Sequence, residues 1–316
     1  MKKQIRSSLL LLIAAIIWGS AFVAQSEGMA YVGPFTFCGI RFLIGSIVLL
    51  PVVSFMKKKE TGNGNLLQDF DKSNGFVNGV KGFYEIHKEL FIGSVLCGIV
   101  LCFATNFQQQ GMKYVSSVGK AGFITTLYIV LVPILGLFLR KKVRLLVWIA
   151  LGFAVSGLYF LCITDTITLE PADIFLILCA LCFALQIIFV DMYAPKVNCV
   201  ALSSLQFFLT GVISIILMFL FEKPTIAGII GAAIPILYAG VMSSGIAFTF
   251  QVIAQKDLDP TLASMIMSLE SVVSVLSGML LLGQKLSTRE IIGCILMFTG
   301  VILSQLPEKN AEEAGN

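Results

Sequence analysis

Charge is what this sequence has least of. Only 13% of its 316 residues are Asp, Glu, Lys or Arg, whereas a soluble domain carries roughly 25% because its surface must meet water. A shortfall of that size excludes a soluble globular protein. Histidine is almost missing too, and the single one, His87, falls in the most polar stretch of the chain, a poor place for a proton relay or a metal ligand. No P-loop, metal-ligand cluster, nucleophile elbow or cofactor motif occurs, so the sequence gives no support to ATP hydrolysis or covalent catalysis, and neither cofactor nor metal is expected. The net charge of +4 is small and unevenly placed, which points to membrane topology rather than to nucleic acid as a partner. Eight cysteines would suggest a disulfide framework in a short secreted chain. Here they lie mostly inside apolar runs, and the CxxC of Cys179 and Cys182 has no histidine or second pair nearby. They read as buried apolar side chains.

What the sequence has in quantity is long apolar runs. Hydrophobic residues make up 57% of it, and mean hydropathy is +0.94. Runs such as Leu9 to Val23, Leu43 to Met56, Phe123 to Leu139 and Leu145 to Ile163 approach the roughly 20 residues that cross a 30 Å hydrocarbon core. Breaks at charges, prolines and polar clusters give ten spans, over residues 8–25, 34–56, 90–110, 118–139, 145–163, 172–192, 200–221, 232–255, 261–282 and 290–306. In lipid, only helices and closed barrels satisfy the backbone. The runs lack the two-residue alternation of barrel strands, so the fold is an all-α membrane bundle. The start, with Lys2, Lys3 and Arg6 before an apolar stretch, has the outline of a signal peptide. It runs on through Trp18 and Phe22 without a small-residue cleavage site, and is expected to stay as a helix.

Residues 57–89, opening with three lysines and continuing through Gly, Asn, Asp and Lys, cannot bury a core and are expected to form a mobile loop, with one short amphipathic piece near Phe83 to Leu90. The tail 307–316 is polar and expected to be disordered. Lysines and arginines concentrate on the side of the N-terminus, in that loop and in the run Arg140, Lys141, Lys142 and Arg144. Both termini are therefore expected on the cytoplasmic face of a bacterial cytoplasmic membrane.

The chain also repeats itself. Laid on itself with Phe107-Gln108 over Phe250-Gln251, it brings Lys113 onto Lys256, Leu139 onto Leu282, Lys142 onto Lys285 and Gly157 onto Gly300. Earlier, "RFLIGSIVL" from Arg41 resembles "QFFLTGVIS" from Gln206, at an offset larger by the length of an insertion in the 57–89 loop. Two units follow, 1–163 and 172–306, each of five helices. Five is odd, so the second must enter the membrane upside down relative to the first. Inverted repeats of this kind recur in transporters, with the substrate site between the halves near the midplane.

On "AAIIWGSAFV", on Arg41 in "CGIRFLIG", on "KAGFITTLYIVLVPILG" and above all on "ASMIMSLESVVSVLSGMLLLGQKL", the chain resembles the EamA family of the drug/metabolite transporter superfamily. It departs from the family pattern at Ser271, usually proline, and at Gln284, usually glutamate, but keeps Glu270. The resemblance implies ten helices, an inverted five-plus-five repeat, a central cavity and transport of small metabolites, often export of amino acids. The expected partners are accordingly a small-molecule solute, the bilayer and, as one option for the driving force, protons. The chain would act as a monomer or homodimer.

Charges within a membrane cost about 2.5 to 3.5 kcal/mol on insertion scales, so they usually face a cavity. Glu270 lies about nine residues into its span, near the midplane, where it could bind a substrate amine or a proton, or make a structural hydrogen bond to a neighbouring helix. Arg41 suits a carboxylate or phosphate; the alternatives are an interhelical pair or snorkelling outward. Lys120, only a few residues inside its span, is the third candidate, with snorkelling as its alternative. Together the three would offer both signs to a zwitterion. Trp18 could line the cavity or pack toward lipid, and Asn106 with Gln108 to Gln110 makes one end of the third span polar. Pro133 and Pro235 could kink their helices. The competing reading is an intramembrane enzyme on a lipid-linked phosphate substrate, with Arg41 and Lys120 holding the phosphate.

Overall fold

The structure is a computed structural model of the chain, and it describes residues 2–61, 87–114, 118–163, 170–282 and 287–306. Ten helical segments in it are long and apolar enough to cross a membrane. We number them in chain order: span 1 Lys3–Gly28, span 2 Pro34–Met56, span 3 Lys88–Tyr114, span 4 Ala121–Phe138, span 5 Leu145–Cys162, span 6 Pro171–Lys196, span 7 Cys199–Phe221, span 8 Ala233–Gln255, span 9 Pro260–Ser277 and span 10 Thr288–Gln305. Each answers one of the ten expected from the sequence.

Local signals set several ends. Proline opens spans 6 and 9, where its missing N–H costs no hydrogen bond. Glu170 with Asp173, and Ser287 with Glu290, form reciprocal capping boxes at the starts of spans 6 and 10. Asn198 caps span 7 by accepting from the N–H groups of Val200 and Ala201. Span 2 is capped from elsewhere: the carboxylate of Glu222, at the end of span 7, accepts from the N–H groups of Phe35 and Thr36 at 2.9 Å each.

The 57–89 loop is shorter than its composition suggests. Helix runs on from span 2 to Thr61 and resumes at Lys88; the rest of the loop and the tail beyond 306 lie outside the described residues. Pro235 also does something other than kink its helix. It sits in the first turn of Ala233–Tyr238, where a proline displaces no hydrogen bond.

The packing obeys an exchange of halves. Span 2 packs on span 7 and span 5 on span 10, each pair made of equivalent members, while span 3 packs on span 6 as span 8 packs on span 1. The seam between spans 5 and 10 shows the register at atomic detail. A Cβ on Gly157 would stand 2.6 Å from the Met297 backbone nitrogen and 2.7 Å from the Gly293 oxygen. One on Gly300 would stand 2.6 Å from the Ala150 oxygen and 2.9 Å from the Ala154 nitrogen. The offset that carries Gly157 onto Gly300 carries Ala150 onto Gly293 and Ala154 onto Met297, so the two halves make the same contact in both directions. Small residues permit this approach in lipid, where helices have no hydrophobic drive to associate. Large apolar side chains such as Phe138, Phe219, Phe221 and Ile234 point outward and are largely exposed. On a soluble protein such a surface would aggregate; here it meets lipid.

Candidate functional site

The interior polar groups gather where three of the helices lose regularity. Span 4 breaks at Leu127, between helices Val118–Thr126 and Tyr128–Phe138. Span 9 breaks at Ser268-Leu269, between Pro260–Met267 and Glu270–Leu282. The repeat offset carries Leu127 onto Glu270, so the two interruptions are equivalent, and they touch: the hydroxyls of Thr126 and Ser271 lie 3.1 Å apart. In span 8, residues Ala239–Ala247 wind as a π-helical stretch, an irregularity found mostly at functional sites. Discontinuous helices near the midplane are how transporters build their sites.

A narrow cavity of about 50 Å³ opens among these breaks. Its walls include Trp18, Phe22, Arg41, Tyr128, Phe183, Gln186, Phe248, Gln251 and Glu270. Much of the wall is duplicated by the repeat. Trp18 corresponds to Phe183 and Phe22 to Ile187 at the offset that relates Arg41 to Gln206, and Gln108 corresponds to Gln251 at the other; all six line the cavity. The charges are not duplicated. Arg41 has Gln206 as its counterpart and Glu270 has Leu127. The aromatic and amide walls thus belong to both halves, and each charge to one.

Glu270 stands at the first turn of the second piece of span 9, only 8% exposed, and accepts from the Tyr128 hydroxyl at 3.2 Å. An anion is favoured at such a helix start by the dipole. The backbone oxygen of Glu270 lies where a Cβ on Gly19 would be, at 2.6 Å, which lets span 1 press directly on the break. Arg41 is 2% exposed. Its Nη1 donates to Gln25 Oε1 at 3.0 Å and its guanidinium carbon sits 4.9 Å from the centre of the Phe42 ring and 5.6 Å from that of Phe37, a favourable cation–π setting. Its Nε has no partner. Among the described residues, no carboxylate lies within ion-pair distance of Arg41 and no cation within that distance of Glu270. Two charges of opposite sign thus line one cavity without an ion-pair partner among the described residues, a costly arrangement unless a solute completes it. Trp18 stacks edge-on against Phe248 at 4.8 Å, and its indole N–H is buried without an acceptor.

Of the residues singled out from the sequence, Arg41, Trp18, Gln108 and Glu270 line this one cavity. Asn106 does not: it lies between spans 3 and 7, donating to the Cys102 carbonyl and the Ser214 hydroxyl at 2.8 Å. Lys120 falls in the first turn of Val118–Thr126, and its side chain lies outside the described residues. Sequence reasoning passed over Tyr128, Phe183, Gln186, Phe248 and Gln251. For Gln251 the signal was present, since the repeat alignment sets it on Gln108; the others are common residues in apolar helices with nothing to mark them. All eight cysteines are free thiols, and among the described residues no group of three His, Cys, Asp or Glu could hold a metal. Nothing at the site supports the enzyme alternative.

The sequence model of the EamA-like transporter family matches the chain twice, over residues 5–163 and 170–306. Among curated proteins, an uncharacterized transporter of Archaeoglobus fulgidus is 26% identical over 311 residues, covering 96% of this chain and 87% of the relative. The uncharacterized transporter YoaV of Bacillus subtilis is 21% identical, covering 92% and 93%. A solved crystal structure superposes with a TM-score of 0.71 at 17% identity over 95% of this chain and 96% of its own, a likeness of fold.

Proposed function

The chain belongs to the EamA-like transporter family, and from that premise we propose that it is a secondary carrier exporting amino acids or related small metabolites across the cytoplasmic membrane. The observation that carries the reading is the cavity with Arg41 and Glu270 on its wall, opposite in sign and not paired with each other. A zwitterion supplies the missing partners. Its carboxylate meets the guanidinium of Arg41 in a charge-assisted hydrogen bond, and its ammonium meets Glu270. The apolar and aromatic wall takes up the remainder of the solute.

Transport proceeds by alternating access. The halves rock against each other around the site, which opens to one face of the membrane and then to the other. Both termini lie in the cytoplasm on this reading, as the lysine and arginine distribution favours. The driving force is the solute gradient or protons taken up at Glu270. Lys120, in the first turn of the helix that runs to the break in span 4, is a further candidate for the anionic end of the solute; Asn106 supports the site through its hold on span 7.

The test is efflux from proteoliposomes loaded with a panel of amino acids and other metabolites, with and without a pH gradient. At least one zwitterionic amino acid is expected to move, and Arg41→Ala and Glu270→Gln each to lose most of that flux. Normal flux in both variants would sink the site assignment.

A further inference from the structure

Three buried glutamines form a chain whose polarity is fixed at one end. Gln255 Nε2 donates to the backbone carbonyl of Ile187 at 2.9 Å. A carbonyl can only accept, so the Gln255 amide is pinned with its oxygen turned the other way. That oxygen accepts from Gln251 Nε2 at 2.9 Å, and the same nitrogen donates its second hydrogen to Gln186 Oε1, also at 2.9 Å. Each link forces the next. What is left over at the end of the chain is one oxygen, Gln251 Oε1, and one nitrogen, Gln186 Nε2, both buried and without partners. Both residues line the cavity.

Native interiors rarely leave such atoms unmet, and buried polar groups that lack a partner call for an explanation. Four unpartnered atoms belong to residues of the cavity wall. The Arg41 Nε, Trp18 Nε1 and Gln186 Nε2 are donors, and Gln251 Oε1 is the single acceptor among them. The first two suit the anionic end of a solute. The glutamine pair offers something different, a donor and an acceptor on hydrogen-bonded neighbours, held in that sense by the Ile187 carbonyl.

We propose that Gln186 and Gln251 select solutes carrying a neutral carboxamide edge, a C=O and an N–H side by side, as on the side chains of glutamine and asparagine. The solute C=O accepts from Gln186 Nε2 and its N–H donates to Gln251 Oε1. A carboxylate in that place meets the Gln251 oxygen with no hydrogen to give, and a thioether or alkyl group leaves both atoms unmet; sites built to hydrogen-bond a solute reject such analogues strongly. The inference rests on the carrier reading for the route by which the solute arrives, and it adds the class of solute preferred.

The test uses the full-length protein and two readouts. In proteoliposomes, L-glutamine is expected to move with a kcat/KM at least about tenfold above L-glutamate and L-methionine. Gln186→Met should bring that ratio near one, and Gln255→Met, which unpins the chain and leaves both cavity amides in place, should erode it. Gln206→Met, which removes a buried amide that does not line the cavity, should leave it unchanged. In detergent, Trp18 fluorescence in a Trp148→Phe background reports binding of the same three amino acids, with the same order of affinity expected. Glutamine preference in binding without flux would overturn the carrier reading and leave this inference standing. Equal handling of the three amino acids, binding of none, or a ratio that survives both Gln186→Met and Gln255→Met would overturn the inference itself.

Discussion

Arg41 and Glu270 are each held by neutral neighbours, and that decides what their removal does. Replacing Glu270 with glutamine keeps the size and an acceptor for the Tyr128 hydroxyl but removes the anion, so the fold should survive while flux falls at least about tenfold. Replacing Arg41 with alanine deletes the guanidinium between Phe37 and Phe42 along with its bond to Gln25. Loss of transport is expected there too, now with a lower melting temperature in detergent, because a large buried side chain has gone. Both charges were legible in the sequence, since a charge within an apolar run stands out by contrast. Tyr128 and Gln186 were not, because nothing in an apolar helix distinguishes a tyrosine or glutamine that faces a cavity from one that faces a neighbour.

At the scale of helices, the ten spans were readable from run length and from the proline and capping residues at their ends. The interruptions inside them were not. Span 4 contains Pro133, yet its helix breaks at Leu127, and span 9 breaks at Ser268-Leu269 with no proline or glycine there. Tertiary contacts gather at those breaks, the Gly19 backbone of span 1 against the carbonyl of Glu270 and the Thr126 hydroxyl against that of Ser271. Tertiary packing of this kind leaves no local signal. Two stability predictions belong here. Gly157→Leu and Gly300→Leu each drive a side chain into backbone 2.6 Å away, and each should cost about 1–3 kcal/mol or more and lower the melting temperature in detergent. Glu222→Ala removes the carboxylate that caps span 2 from span 7, and a loss of about 1 kcal/mol is expected by thermal or denaturant unfolding.

For the whole molecule, the alternating access proposed above separates contacts that transport must change from contacts it need not. The Thr126–Ser271 contact is carried by the repeat offset onto Tyr128 and Leu269, a different pair, so an inward-to-outward exchange of the halves replaces one by the other. Amide hydrogen exchange with and without a transported amino acid should therefore change around residues 124–130 and 265–273 and in the π-helical stretch of span 8. Protection in spans 5 and 10 should stay the same; a ligand effect concentrated there would contradict the assignment of moving parts.

The glycine seam between spans 5 and 10 has a mechanical meaning. Its contacts map onto themselves when the halves trade places, so either facing of the protein can keep them without sliding an atom. In the alternating-access cycle proposed above it is the axle on which the bundle turns, and its fit can be tight because tightness there does not brake the motion. Stiffness and turnover, usually at odds in one helix bundle, are here assigned to different pairs of helices.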